Sequence, residues 1–500
     1  MKLNYKRTIL VGMAFFLITA FWQAYDAIVP LILSNHFGLS ETASGAIMSI
    51  DNVLAVFMLP IFGALSDKVC SRFGKRTPFI VIGTVTAVIA FVFIAIVDSW
   101  QFGSLVEAGI HDRYVLQQGL LNEAKDALKI AKEMGDGVAI EALNGQIEAI
   151  NGAIAAIRAD VLQLTMQNAT HLITFIAALL VVLIAMATFR SPAVALMPDV
   201  TIKPLRSKGN AIINLTGTAG GMLVLALGIL FGTSKHLSMK YVGYVLSVVA
   251  IMLLGLIVYM ITVKEKKWAR EMEEESARFG IDRVEESTTA APHRKLTRPE
   301  LCSLILILAS VALWYIGYNS VTSKYSVYAT NILGFDFNIT LIVAQAAAIV
   351  AYIPVGMIAS RIGRKKTILA GVLMLATAFF IGNFISAGMP SIIMYPIFAL
   401  AGIGWATINV NSFPMAVELA SGSDVGKYTG YYYTASMAAQ IVAPILSGML
   451  YDRFGMRLMF FAFATVFVML SFVTMLFVTH GDSKPEVKGS VLEQLDVEDA

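Results

Sequence analysis

Apolar residues are grouped along this chain into long runs that are separated by short polar segments. Each run is close to or above the roughly 20 residues that a helix needs to cross the hydrocarbon layer of a membrane. Backbone polar groups cannot stay unpaired in lipid, and the runs lack the short alternation of a β-barrel, so the predicted fold is all-α. The pattern predicts twelve transmembrane helices, at 9–33, 43–65, 78–97, 169–189, 210–231, 241–263, 300–322, 338–359, 367–387, 391–411, 428–450 and 456–479.

The composition agrees with a chain that lies mostly in lipid. Hydrophobic residues make up 57% of the sequence and charged residues 14%, with a mean hydropathy of +0.73. A soluble domain usually carries about 25% charged residues, so this chain has too little charge to cover a water-facing surface. The first apolar run is longer than the apolar core of a signal peptide, about 7–15 residues, which predicts that it is retained as a helix.

Polar intervals divide the chain into two halves of six predicted helices each. The predicted domains are an N-terminal six-helix bundle at 1–263, a linker at 264–298, a C-terminal six-helix bundle at 299–480 and an acidic tail at 481–500. The linker carries many charges of both signs, which is typical of a solvated segment. The tail is predicted to be a disordered cytoplasmic segment.

The distribution of Lys and Arg predicts the orientation in the membrane. With the N-terminus inside, the short inside segments hold 16 of these residues and the short outside segments hold 5. Cytoplasmic loops carry the excess of Lys and Arg, so both termini are predicted to be cytoplasmic. The expected location is the cell membrane, with membrane lipid as a permanent neighbour.

An insert at 98–168, between the third and fourth predicted helices, interrupts the six-plus-six pattern. Its apolar residues recur at alternating spacings of three and four, as in a helix that packs along one seam. The turn signal Gly135-Asp136-Gly137 lies between its two parts. We therefore predict an antiparallel helical hairpin on the outer face. It is either a rigid cap or spacer, or a docking site for a partner or a second subunit. The seam residues of its second part are Ile140, Leu143, Ile147, Ile150, Ile154, Ile157, Val161 and Leu164.

Three segments of the first half recur in the same order in the second half. The segment from Trp22 to Asp26 matches Trp314 to Asn319, Gly63 to Arg76 matches Gly356 to Lys366, and Pro192 to Leu196 matches Pro414 to Leu419. Internal repeats of this kind are typical of transporters, whose solute sites lie between the two repeats. The repeat predicts two pseudo-symmetric bundles with a central cavity.

The loop after the second predicted helix resembles the signature loop of the major facilitator superfamily. It reads Gly63-Ala-Leu-Ser66-Asp67, followed by Arg72-Phe-Gly74-Lys75-Arg76. Together with Asp51-Asn52 and the segment from Arg190 to Asp199, it resembles the sucrose–proton symporters and their bacterial and animal relatives. The outer insert and Ser360, where the superfamily loop prefers Asp, depart from that pattern. The resemblance implies alternating access, coupling to protons rather than sodium, and a role for Arg190 in contact with the solute or in coupling.

Two carboxylates, Asp26 and Asp51, fall inside predicted membrane helices. A charge at the centre of a membrane costs at least ~2.5–3.5 kcal/mol, so such residues usually face a cavity or a partner. A carboxylate whose surroundings change as a cavity opens and closes can carry a proton. We predict that Asp26 or Asp51 is the proton-coupling site, and the alternative for each is a structural hydrogen bond.

Aromatic and amide side chains cluster at the same depth as these carboxylates. Sugars bind to such mixtures because they have apolar C–H faces and polar rims. The alternatives are an aromatic belt at the membrane surface and amide contacts between helices. The predicted cavity residues are Trp22, Gln23, Tyr25, Asn52, Arg190, Asn214, Trp314, Tyr318, Asn319 and Gln345. Lys324, just after the seventh helix, is expected to reach the outer surface, or else to pair with Asp26.

Charged and glycine residues of the two repeated loops form a predicted cytoplasmic gate. Carboxylate–guanidinium pairs and contacts with helix ends can latch such a gate, and glycines permit a tight backbone. As in the superfamily, the latch should hold the outward-open state. The predicted gate residues are Gly63, Asp67, Lys68, Arg72, Gly74, Lys75, Arg76, Gly356, Arg361, Gly363 and Arg364.

The sequence contains no pattern that indicates an enzyme, a cofactor, a metal site or a nucleic-acid interface. There is no phosphate-binding loop for ATP, and the two cysteines and six histidines lack ligand spacing. The favoured function is proton-coupled symport of a sugar, a disaccharide or a glycoside. The alternatives are a proton-driven exporter of drugs or organic acids on the same fold, and a non-transporting receptor or scaffold that uses the outer hairpin.

Overall fold

The computed structural model describes most of the chain. The described residues are 3–69, 71–202, 205–234, 239–278, 297–417 and 425–480. The predicted acidic tail, residues 279–296 of the linker and residues 418–424, which include the end of the third repeated segment, lie outside these ranges. Within them the structure is helical, and the single β-bridge joins Ser71 to Gly74. The prediction of an all-α fold is confirmed.

The first half contains the following helices: α1 at Tyr5–Leu31, α2 at Glu41–Met48, α3 at Ile50–Lys68, α4 at Thr77–Glu107, α5 at Ile110–Met134, α6 at Gly137–Gln167, α7 at Thr170–Val200, α8 at Arg206–Phe231 and α9 at Val242–Thr262. A π-helical turn, Ile32–His36, extends α1. Helices α2 and α3 form one membrane span, Glu41–Lys68, that is interrupted at Ser49. Helix α4 continues about ten residues past its predicted end, since its apolar positions run on as far as Leu105.

The second half follows a charged helix, α10, at Glu265–Arg278. Its helices are α11 at Arg298–Thr322, α12 at Phe337–Ile362, α13 at Arg364–Gly382, α14 at Met394–Val417, α15 at Val425–Phe454 and α16 at Met456–Leu476. Between α11 and α12 the chain forms a short helical turn, Tyr325–Val327, and a π-helical turn, Tyr328–Leu333. A 3₁₀ turn, Ser391–Ile393, precedes α14.

Twelve apolar spans are present, which agrees with the sequence prediction. Eleven helices within the described residues are long and apolar enough to cross a membrane, and α12 contributes a shorter apolar stretch, Phe337–Tyr352. The two halves repeat the same packing. In the first half α1 packs on α8 and α4 on α7, and the corresponding helices of the second half do the same, α11 on α15 and α13 on α14.

Among the described helices, two pairs make the most extensive contacts between the halves, α2 with α15 and α8 with α12. The first pair is held very close by glycines. A Cβ added to Gly45 would lie 2.2 Å from the Pro444 carbonyl oxygen, and one on Gly448 would lie 2.5 Å from that of Glu41. Glycine is required at both positions because any side chain would push the two helices apart.

Helices α5 and α6 form the predicted antiparallel hairpin. Its core contains Leu121, Ala124 and Ile150, and its base contains Tyr114 and Ile157. Gly135 turns the chain at the tip with a φ of +72°. The Asp136 carboxylate then accepts hydrogen bonds from the backbone N–H groups of the first turn of α6. We refer below to the end of the bundle that carries the hairpin as the hairpin end, and to the end that carries α10 as the linker end.

Candidate functional site

Helix α1 carries a stripe of partly exposed positions that leads into the middle of the protein. The stripe runs from the linker end through Met13, Phe16 and Thr19 to Gln23 and Asp26. Between Ala20 and Phe37, only Trp22, Gln23 and Asp26 escape full burial. The stripe ends at Asp26, and every position from Ala27 to Phe37 is buried. The spacing of three and four places these residues on one helix face.

This stripe faces the other half of the protein. The Gln345 amide on α12 donates a hydrogen bond of 2.6 Å to the Gln23 side-chain oxygen on α1. Gly221 on α8 lies beside the pair, since a Cβ there would be 3.6 Å from Gln23 Oε1 and 3.7 Å from Gln345 Oε1. The path along α1 therefore lies at the interface between the halves, as the sequence repeat predicts for a solute cavity.

The two predicted coupling carboxylates meet at the end of this path. Asp26 on α1 and Asp51 on α3 interact electrostatically, and Asp51 also interacts with the Arg190 guanidinium on α7. The Arg190 guanidinium carbon lies 6.0 Å from the Trp22 ring centroid. The Asp51 carboxylate accepts hydrogen bonds from the Asn52 backbone N–H, at 2.6 Å, and from its side-chain amide, at 2.8 Å. Three helices of one half thus bring two acids, one base and an indole together.

Aromatic rings from the second half complete the site. Tyr318 on α11 interacts electrostatically with Asp26. Its ring stacks on Trp405 of α14, with centroids 3.6 Å apart and planes 5° apart. Tyr315 meets the same indole edge-on at 5.3 Å. Trp405 was missed in the sequence because it lies inside an apolar run with no charge beside it, and it belongs to none of the three repeated segments.

Several polar atoms of the predicted cavity residues have no hydrogen-bond partner among the described residues. They are Trp22 Nε1, Tyr25 Oη, Trp314 Nε1 and Gln345 Oε1. A buried polar group without a partner costs about 1–3 kcal/mol, so such groups in a native protein call for a ligand or water. Trp22 and Gln345 are partly exposed, whereas Tyr25 and Trp314 are 0% exposed.

Two further predicted cavity residues, Asn319 and Asn214, are partly exposed. Asn319 donates to the Tyr315 carbonyl oxygen of its own helix at 2.9 Å. Asn214 lies on α8. Of the predicted set, the structure brings together Trp22, Gln23, Tyr318 and Gln345 with the two carboxylates and Arg190.

At the linker end, Arg76 is the centre of the predicted gate loop. Its guanidinium bonds Asp67 Oδ1 at 2.5 Å and Asp199 Oδ2 at 2.7 Å, and it also contacts the Ser66 hydroxyl. Lys68 and Arg72 are exposed. All these contacts lie inside the first half, where they tie the ends of α3 and α7 to the start of α4.

The sequence did not predict the partner of Gly74 and Lys75, which is Glu265 of α10. Its carboxylate accepts hydrogen bonds from the backbone N–H groups of Lys75 at 2.5 Å, Arg76 at 2.8 Å and Thr77 at 2.8 Å. It is therefore a cap for the N-terminus of α4. Gly74 leaves room for this carboxylate, since a Cβ there would lie 2.2 Å from Glu265 Cδ.

In the second half, the corresponding loop residues lie at the junction of α12 and α13. Gly356 and Arg361 belong to α12, and Arg364 begins α13. Gly363 joins the two helices with a φ of +95°, a conformation that favours glycine.

The expectation for Lys324 was wrong in both of its forms. Its side chain is 0% exposed, and its ammonium lies 2.7 Å from Glu41 Oε2. The sequence reasoning placed Lys324 at the surface because it follows a helix end. The short turn Tyr325–Val327 packs on α1 and the π-helical turn after it packs on α16, and the Lys324 side chain is buried against Glu41 of α2.

Further contacts between the halves close the hairpin end. The Asp452 carboxylate at the end of α15 accepts from the backbone N–H groups of Glu41 and Thr42, both at 2.8 Å. The side chains of Asn35 and Asn331 form a reciprocal amide pair with distances of 2.8 and 3.3 Å. The path along α1 is accordingly shut toward the hairpin, and its partly exposed stripe continues toward α10.

The fold and the site together define a polytopic helical membrane protein in which two six-helix halves enclose a polar path. Residues 11–107, 152–353 and 339–495 match the Major Facilitator Superfamily, and the chain belongs to this superfamily of transporters. The unmatched residues 108–151 fall within the hairpin. A search of curated proteins finds no match.

Solved transporter structures share this fold at low sequence identity. The inward-open xylose transporter XylE from E. coli is 14% identical, with a TM-score of 0.60 over 98% of this chain and 99% of that protein. A POT family transporter in complex with 5-aminolevulinic acid is 10% identical, with a TM-score of 0.60 over 94% and 95%. The nucleoside transporter NupG is 14% identical, with a TM-score of 0.55 over 94% and 100%. At these identities the likeness is one of fold.

Proposed function

We propose that this chain is a proton-coupled symporter of a sugar, a disaccharide or a glycoside, that works by alternating access. One observation carries the proposal: two membrane-embedded carboxylates, Asp26 and Asp51, end a path lined with amides and aromatic rings between the two halves. Similarity in fold to a D-xylose-proton symporter, at 16% identity, is consistent with it. The resemblance of the gate loop and the Arg190 segment to the sucrose–proton symporters favours a disaccharide.

The carboxylates supply a physical reason for coupling. Asp26 is exposed to the path in this conformation, so it can exchange a proton with water. When the path closes around it, an ionised carboxylate would lose its hydration and a neutral one would lose much less. Asp51 interacts with both Asp26 and Arg190, so a proton on Asp26 changes the net charge of these three interacting side chains. Closure with a bound proton is therefore favoured over closure without one.

The solute would lie along the same path. The stacked Tyr318 and Trp405 rings offer apolar faces, and Gln23, Gln345 and Trp22 offer donors and acceptors at the rim of the space. This combination suits a neutral polyol, which presents C–H faces and hydroxyl edges. With the termini in the cytoplasm, as the Lys and Arg distribution predicts, the path opens inward here and the hairpin lies outside.

Uptake of labelled sugars into proteoliposomes tests the proposal. A panel of monosaccharides, disaccharides and glycosides is offered with and without an inward proton gradient. The expected result is gradient-stimulated uptake of one sugar class, which Asp26→Asn or Asp51→Asn reduces at least tenfold. The same variant should keep sugar counterflow at zero gradient, since exchange needs no net movement of protons.

Asp112→Asn is the matched control, because Asp112 is an exposed hairpin carboxylate away from the path. It should transport like the wild type. If Asp26→Asn and Asp51→Asn both kept gradient-driven uptake, neither carboxylate would be the coupling site. If the folded wild type transported no sugar, the proposed function would be wrong. Drugs and organic acids would then be tested as exported substrates.

A further inference from the structure

The hairpin of α5 and α6 overhangs the closed end of the transport path. A cleft of about 870 Å³ lies between α5 and the second half of the protein. One wall is formed by α5 and the other by the π-helical turn Tyr328–Leu333 and the residues just after it. Ligand sites in proteins commonly have volumes of about 300–1,000 Å³, so the cleft can hold a mono- or disaccharide.

The cleft ends at the closed gate between the halves. Thr330 and Asn331 line it, and Asn331 is one partner of the amide pair with Asn35 that joins the two halves. When that pair separates, the space between the halves opens next to the cleft. A solute that moves between the path and the hairpin side therefore passes this wall.

The lining has the chemistry of a polyol site. Helix α5 contributes Gln118, Asn122 and Lys125, whose side chains offer amide oxygens and N–H donors. Tyr114 lies beside them and its hydroxyl accepts from the Gln118 amide at 3.1 Å. The Lys125 ammonium reaches the opposite wall, since a Cβ added to Gly334 would lie 3.8 Å from it. Burial against that wall lowers the pKa of Lys125.

A second observation points to a ligand. Thr330 is only 1% exposed, and its hydroxyl has no hydrogen-bond partner among the described residues. Buried hydroxyls are normally satisfied, because leaving one unpaired costs stability. Thr330 lines the cleft, and a small shift of this wall would let a hydroxyl of a bound solute satisfy it.

We propose that this cleft is a vestibular binding site for the transported polyol, which holds the solute between α5 and the turn Tyr328–Leu333 before the gate opens. The inference rests on the proposed function and extends it. The superfamily match does not include residues 108–151 of the insert. The proposal gives this part of the chain a role in capturing the solute on one side of the membrane only. The hairpin is then part of the transport path rather than a spacer.

Photolabelling tests the site without requiring transport. The probe is a panel of diazirine-bearing pyranosides and disaccharides, applied to the full-length protein and followed by peptide mapping. Label is expected in peptides that contain residues 114–126 and 330–335, and an excess of unlabelled sugar should remove it. Label confined to the path between the halves, or no label at all, would overturn the proposal.

Transport kinetics measured separately from each side of the membrane give the second test. For Asn122→Ala and Lys125→Ala, the half-saturating sugar concentration for transport from the hairpin side should rise about three- to tenfold, the effect of losing one or two hydrogen bonds. The value from the linker side, measured in inverted vesicles, should stay unchanged. Asn144→Ala is the control, since Asn144 is an exposed amide on α6 that does not line the cleft.

The two tests separate the proposals. Suppose that the wild type transports sugar. Equal changes in the half-saturating sugar concentration from both sides, or no change from either side, would then contradict the vestibular site. Absence of sugar transport by the wild type contradicts the proposed function instead, and the photolabelling pattern then decides whether the cleft binds sugar.

Discussion

Glu265 illustrates how a single side chain can join a loop to a helix. It belongs to a charge-rich segment that the sequence indicates to be solvated, yet it is 3% exposed and caps the first turn of α4. A carboxylate at a helix N-terminus satisfies otherwise unpaired N–H groups and interacts favourably with the helix dipole. Three backbone donors and the Thr77 hydroxyl converge on this one carboxylate.

We expect Glu265→Ala to destabilise the protein by about 2 kcal/mol, because it leaves the cap donors of α4 without an acceptor. Thermal unfolding in detergent measures the effect. Glu273→Ala, on the exposed part of α10, is the matched control and should unfold like the wild type. Equal melting temperatures for the two variants would contradict the cap.

At the residue scale, the sequence predicted the types of polar side chain at the site better than their partners. Asp26 and Asp51 can be found because charges are rare in apolar runs and costly there, whereas Arg190 was indicated by the family resemblance. Trp405 cannot, since an indole in an apolar run looks the same whether it packs against lipid or stacks on Tyr318. The Glu41 partner of Lys324 is likewise hidden, because the two residues are 283 positions apart.

At the element scale, the contact between α2 and α15 is the tightest joint between the halves. Gly45 and Gly448 let the backbones approach until each helix touches the carbonyl oxygens of the other. This pair lies at the hairpin end, beside the Asp452 cap of α2. The joint must separate for the hairpin end to open.

Gly448→Ala should therefore weaken closure of the hairpin end and shift the protein toward the conformation that is open there. A Ser34→Cys reporter, buried at this end in the present conformation, should then react faster with a membrane-impermeant maleimide applied from the hairpin side. Cys70 and Cys302 are replaced by Ser beforehand.

Gly430→Ala on the same helix is the matched control, because a Cβ there meets nothing within 4 Å. It should leave the labelling rate of the reporter unchanged. Slower or equal labelling in Gly448→Ala would show that the glycine contact does not hold the gate.

The elements themselves were largely predictable. Apolar runs of membrane length indicate their own helices, because the bilayer fixes both the length and the backbone hydrogen bonding. The hairpin followed from its three–four spacing and the Gly135 turn. The interruption at Ser49 and the π-helical turns were not predicted, since a local change of helix type inside an apolar run leaves no mark in the hydropathy pattern.

At the scale of the whole molecule, the repeat predicted two halves but not their relative position. That position depends on contacts between side chains far apart in sequence, such as Asp452 with Glu41 and Asn35 with Asn331. These contacts close the hairpin end in this conformation. A transporter that alternates must exchange one set of closing contacts for another.

The central claim of this account is that solute and proton move together through the site that contains Asp26 and Asp51. The most direct test is proton movement driven by the solute alone, in proteoliposomes loaded with a pH-sensitive dye and given an inward sugar gradient but no pH gradient. We predict acidification of the interior with the wild type and none with the uncoupled Asp26→Asn or Asp51→Asn variant, although sugar exchange continues. Sugar uptake by the wild type without any change in internal pH would contradict the claim.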